Sequence, residues 1–158
     1  MITMEEILFD DIATLERRIS DDYGPWSEAL DVPQPMITAF AEMTGDRQWI
    51  HVDTDRAVAE SPFGTTIAHG FLVLSLSAII KNSADYAIVG HASALNYGLE
   101  KVRFVSPVPS GSRIHGRTRI ARVAREKGGT MLTVQVAIHI VGAERPALCF
   151  DWMLLYRG

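Results

Sequence analysis

The second half of the chain alternates. Leu132, Val134, Val136, Ile138 and Ile140 are separated by Thr133, Gln135, Ala137 and His139, and Leu148, Phe150, Trp152, Leu154 and Tyr156 repeat the pattern. A period of two places the apolar set on one face of a strand and the remainder on the other. Residues 112–125 read as a third long strand with Gly128-Gly129 as the turn into the next, and residues 95–105 as a fourth, closed by Pro107 and Pro109. Long strands joined by short turns pair antiparallel.

The first half follows a different spacing. Ile7, Leu8, Ile12, Leu15 and Ile19 can line one face of a short helix, ended by Asp22-Tyr23-Gly24-Pro25. A second helix is predicted from about Pro35, a residue suited to a first turn. Ile37, Phe40, Ala41 and Thr44 recur along it, and Gly45 is a natural stop. A third covers residues 54–60. The run at residues 67–80 is different in kind. Phe71, Leu72, Val73, Leu74, Leu76, Ile79 and Ile80 leave almost no polar stripe, so a helix there has to be surrounded by protein. The pattern is that of an α+β domain, with a long antiparallel sheet wrapped around one central hydrophobic helix.

Composition narrows the partners. A length of 158 residues suits a single domain over residues 1–158, with residues 1–23 as an N-terminal helical extension. The net charge of −4 gives no support to a nucleic-acid surface. The longest apolar run falls short of the roughly twenty residues of a membrane span. Cys149 is the one cysteine, and Glu5 and Glu6 stand where a secretory leader carries base. These features lead us to expect a cytoplasmic protein.

Two places can carry chemistry. Asp46 and His51 follow the helix stop in Thr44-Gly45-Asp46-Arg47-Gln48-Trp49-Ile50-His51. A carboxylate and an imidazole over one spot can grip a water molecule and move its protons. On spacing alone, a turn cap and a packed ring are the commoner fate of such a pair. Ala68-His69-Gly70 opens the apolar run, where the first amides of a helix lack internal partners. Glycine there admits close approach of a substrate carbonyl, so the Gly70 amide can stabilise an enolate oxygen. A tightly packed helix start is the plainer alternative.

These segments together resemble the signature of the MaoC-like (R)-specific enoyl-CoA hydratase family. The resemblance runs through Thr44-Gly45-Asp46 to Ile50-His51, then Ile67-Ala68-His69-Gly70-Phe71-Leu72, Asn96-Tyr97-Gly98-Leu99-Glu100-Lys101-Val102-Arg103-Phe104 and Pro107-Val108-Pro109-Ser110-Gly111. Gln48 and Trp49 stand where the family usually has Asn and Pro, as in its nodulation protein N-like and mycobacterial hydratase-like subgroup. The resemblance implies a hot-dog fold, Asp46 and His51 as the catalytic pair, and the Gly70 amide as oxyanion donor. It further implies an acyl-CoA thioester substrate with no separate cofactor, and a homodimer joined sheet edge to sheet edge. We expect Asp46 to act as base toward water, with His51 orienting it.

Weaker expectations attach to other residues. Gln48 is a candidate to orient the loop, Trp49 and Phe63 to wall the acyl pocket along with residues 81–89, and Ser75 to support Asp46. His69, His91, His115 and His139 are read as structural, and Arg113, Arg117 and Arg119 as a solvated outer face rather than a phosphate site. No metal is expected. A hot-dog thioesterase and a non-catalytic acyl-thioester-binding subunit are the competing functions.

Overall fold

The computed structural model describes residues 4–80 and 84–158. In chain order the elements are β1 (Glu5–Leu8), α1 (Ile12–Arg17), β2 (Leu30–Val32), α2 (Gln34–Thr44), α3 (Trp49–Val52), α4 (Thr54–Glu60) and α5 (Gly70–Leu76). They continue with β3 (Tyr86–Val89), β4 (Ser93–Phe104), β5 (Ser112–Glu126), β6 (Gly129–Ile140) and β7 (Leu148–Arg157). β2, β5, β6, β7 and β4 form one antiparallel sheet in that order. The alternating residues behave as their period requires. Ile114, Val136, Ile138, Leu148 and Phe150 point inward and pack on Leu72, Val73 and Leu76 of α5. The mixed α+β arrangement read from the sequence, a curled antiparallel sheet around an apolar helix, is therefore the one observed.

Two expectations about the first half need correction. The helix proposed over Ile7–Ile19 is a strand followed by a short helix. Residues 5–8 pair in parallel with β3, and Asp11 then caps α1 by accepting from the Thr14 amide at 3.1 Å. β1, β3 and α1 close the far end of the sheet through Ile7, Leu15, Tyr86 and Ile88 packed about Leu132. The apolar run at residues 67–80 is helical only over Gly70–Leu76. Ile67 bridges Pro109, and the Ala68 amide donates to the Val108 carbonyl at 2.8 Å, so the first part of the run is strand-like. Nor is the helix enclosed on all sides, since Phe71 is 69% exposed.

The two sides of the sheet are finished differently. Residues 20–27 run beside β5 and give it three backbone bonds, Ser20 to Ile120, Gly24 to Thr118 and Ser27 to Gly116. Tyr23 and Trp26 from this segment cover Arg117, whose guanidinium lies 4.9 and 4.4 Å from their ring centres. β4, at the opposite edge, pairs only with β7 among the described residues. It carries exposed Leu95, Tyr97, Leu99 and Phe104. No helix among the described residues is long and apolar enough to cross a membrane.

Candidate active site

Gly45 ends α2 in the left-handed conformation at φ 81°, its amide closing on Ala41. A side chain strains that conformation, whereas glycine does not. The chain then turns through Asp46 into α3, a single helical turn that carries His51. α3 is fastened sideways to the extended stretch before α5. The Ile67 amide donates to the Ile50 carbonyl at 2.9 Å, and His51 Nδ1 bonds the Ile67 carbonyl at 2.7 Å. Gln34 adds a second tie: its amide donates to the His51 carbonyl at 2.8 Å, and its oxygen accepts from the buried Thr66 hydroxyl. Residues far apart in sequence are thus brought to one place by backbone bonds.

At that place the ligand-capable atoms of Asp46, His51 and His69 all lie within 4.8 Å of one another. Asp46 is exposed, whereas both histidines are buried. Their rings stack with centres 3.8 Å apart and planes 25° from parallel. A carbonyl oxygen only accepts, so the His51 proton sits on Nδ1 and the Nε2 lone pair is left for the site. Burial lowers the His51 pKa, as does the neighbouring His69, against the opposing pull of the Ile67 carbonyl and Asp46. The grouping has the compactness of a metal set. One nitrogen of each ring is bonded to a backbone carbonyl, which fixes the ring and leaves its other nitrogen as the one able to accept.

His51 and Gly70 open on one cavity of about 260 Å³, shared with Val73, Phe104, Pro107 and Leu148. Gly70 is the first residue of α5, so its amide has no partner within the helix. A Cβ at this position would stand 2.8 Å from a Phe104 ring carbon. A side chain here has to displace the Phe104 ring. Of the three residues expected to carry the chemistry, Asp46 stands within 4.8 Å of His51, and His51 shares the cavity with Gly70, while Asp46 does not line it.

The weaker candidates fall elsewhere. Gln48 is exposed and precedes α3 without a side-chain bond to it. Trp49 lies under the Arg56 guanidinium at 4.3 Å, and neither it nor the exposed Phe63 lines the cavity at His51. Ser75 donates to the Phe71 carbonyl one turn back at 2.8 Å instead of to Asp46. Residues 81–83 of the proposed acyl-pocket wall lie outside the described residues. His91, His115 and His139 pack against Tyr156 or Trp26, away from the cluster. Arg119 is occupied by Gln135 and Asp21, and Arg113 by Asp31. His69, read as structural, stands beside Asp46 and His51, and Gln34 and Thr66 carried no sequence signal at all.

Comparison with known proteins gives the family. The model of the MaoC like domain family matches residues 16–142. Nodulation protein N of Rhizobium meliloti is 38% identical over 153 residues, covering 96% of this chain and 92% of its own. The 3-hydroxyacyl-thioester dehydratase Z of Mycobacterium tuberculosis is 39% identical over 149 residues, covering 94% and 97%. Among solved structures, the (R)-hydratase from A. caviae involved in PHA biosynthesis superposes with a TM-score of 0.66 at 20% identity, over 85% of this chain and 96% of that one. That likeness gives the hot-dog fold. The chain belongs to the MaoC-like dehydratase family and is a hydro-lyase.

Proposed function

We propose that this protein adds water reversibly to a trans-2-enoyl thioester of coenzyme A, giving the (R)-3-hydroxyacyl thioester, with Asp46 and His51 as the acid–base pair. The observation that carries this reading is the meeting of the two side chains, within 4.8 Å, beside the cavity that reaches Gly70. Water held between them has an acceptor for each hydrogen. We assign the base to His51, reversing the expectation from sequence. Its Nδ1–H is fixed on Ile67, its Nε2 lone pair is free, and burial favours the neutral ring.

In this scheme Nε2 takes a proton from water while the oxygen attacks C3. The π electrons move through C2 to the thioester oxygen, where the Gly70 amide donates to the developing negative charge. The enolate collapses as C2 receives the proton back from the imidazolium, so one molecule of water is added and nothing else is consumed. Asp46 orients the water and opposes the transient positive charge on His51. No separate cofactor is needed. The similarity to the mycobacterial dehydratase over nearly its whole length favours a 3-hydroxyacyl thioester as the product. The exposed apolar edge at β4 suits a homodimer, and the free thiol of Cys149 suits the cytoplasm.

The test uses purified protein and a short 2-enoyl-CoA. Loss of the conjugated thioester absorbance without release of thiol is expected. Thiol release would point to a thioesterase, and neither change to a binding subunit, and both overturn the proposal.

A further inference from the structure

His69 has a position that a packed core residue does not require. It is 3% exposed and stands just before α5. Its Nε2 lies 2.9 Å from the backbone carbonyl of Asp46, 23 positions earlier in the chain. One face of its ring stacks on His51, and Phe40 of α2 lies tilted against it with ring centres 5.0 Å apart. One side chain therefore touches both members of the acid–base pair, one through its backbone and the other through its ring. The carbonyl of Asp46 can only accept, so the shared proton is on His69 Nε2. Nδ1 is buried with no partner among the described residues, which a residue kept only for packing would have no reason to retain.

We propose, on the hydro-lyase reading above, that His69 is a positioning residue. It fixes the exposed Asp46 turn against the buried His51 ring, so that carboxylate and Nε2 lone pair face the same water. The two contacts divide the work. The Nε2–H bond anchors the loop that carries Asp46, which has no side-chain bond of its own to α5 among the described residues. The stack keeps the His51 ring in the plane set by its bond to Ile67. Asp46 and His69 are also the ionisable groups that act on His51, in opposite senses. Replacing His69 therefore changes the proton affinity of His51 as well as its orientation.

Two substitutions separate the contacts. His69→Phe keeps a flat ring for stacking and removes the donor. His69→Gln keeps an amide donor near the Nε2 position and removes the ring. In each, kcat is expected to fall about 10–100-fold, the order of loss from displacing a reacting group by about an ångström, while KM changes less than about threefold. The His51 titration, followed by ¹⁵N NMR of the imidazoles, is expected to move to higher pH in His69→Phe. In the unsubstituted protein the same spectra should find the neutral His69 protonated at Nε2 and His51 at Nδ1. A His69 proton on Nδ1 would overturn the proposal, whether or not the variants fold. Folded variants with unchanged kcat and unmoved His51 titration would overturn it too. If the protein turned over no enoyl thioester, the hydration reading would fail, while the tautomer and titration would still decide whether His69 holds the pair.

Discussion

Adding one methyl group at Gly70 separates catalysis from packing more cleanly than removing a catalytic side chain. A Cβ built there lies 2.8 and 2.9 Å from two carbons of the Phe104 ring. Carbon atoms rest at about 3.5–4.0 Å, so the ring must withdraw by roughly 0.7 Å or more. Phe104 is 51% exposed and can swing toward solvent. The structural cost should therefore fall at the low end of the roughly 1–3 kcal/mol typical of overpacking. For a chain of this size, about 1 kcal/mol lowers Tm by about 2–4 °C. On the proposed oxyanion role the same methyl group would crowd the approach of the substrate oxygen to the amide, and losing one such donor costs about 10²–10³ in kcat. Gly70→Ala should therefore keep its fold, lose a few degrees of Tm and lose most of its turnover. Adding Phe104→Ala relieves the clash and should recover Tm without recovering kcat. Absorbance kinetics with a 2-enoyl-CoA and thermal unfolding on the same samples provide both readouts. Full activity in Gly70→Ala, or recovery of kcat in the double variant, would refute the oxyanion role.

Asp46→Ala and His51→Ala are each expected to lower kcat by about 10²–10⁴, the range for general acid–base groups, measured by the same kinetics. Because burial lowers the His51 pKa, the acid limb of kcat/KM should lie below the 6.5 of a free imidazole, with activity retained above the limb and lost beneath it. Folding follows the same sign: below about pH 6.5 the unfolded chain binds the proton first, so stability contributed by neutral His51 declines as pH falls toward the folded pKa. Urea titrations of His51→Gln should show that dependence flattened. Gln34→Ala breaks the tie between Thr66 and the His51 carbonyl. Leaving buried partners unpaired costs about 1–3 kcal/mol, and Tm should fall with kcat; an unchanged Tm would remove Gln34 from the support of the site.

What the sequence disclosed depended on whether the determining interactions were local. Strands β6 and β7 were legible because alternation is a property of neighbouring residues. Helix α4 matched its predicted span because Asp53 caps it, accepting from the Arg56 amide. Residues 5–8 were misread because helical spacing there is overruled by pairing with β3, some eighty positions on. The apolar run beginning at residue 67 was read as too long a helix, since its composition does not reveal that Ala68 bonds Val108. The same division holds in the site. Asp46, His51 and Gly70 were singled out because their segments resemble the family's signature, whereas spacing alone favoured a turn cap, a packed ring and a plain helix start. His69, Gln34 and Thr66 act through bonds between distant segments, and their residue types gave no hint of it.

The unequal finish of the two sheet margins bears on how copies can associate. The side at β5 is occupied by the protein's own residues 20–27 and the three-residue strand β2, whereas β4 offers twelve residues of strand with one side unpaired among the described residues. A molecule with two sticky margins could propagate into a ribbon without limit. In the proposed homodimer, a partner docking along β4 with its own β4 would consume the long free margin of both molecules, and growth would end at two. On that arrangement the short segment beside β5 would be the stopper that lets the opposite margin stay adhesive without risk of fibres.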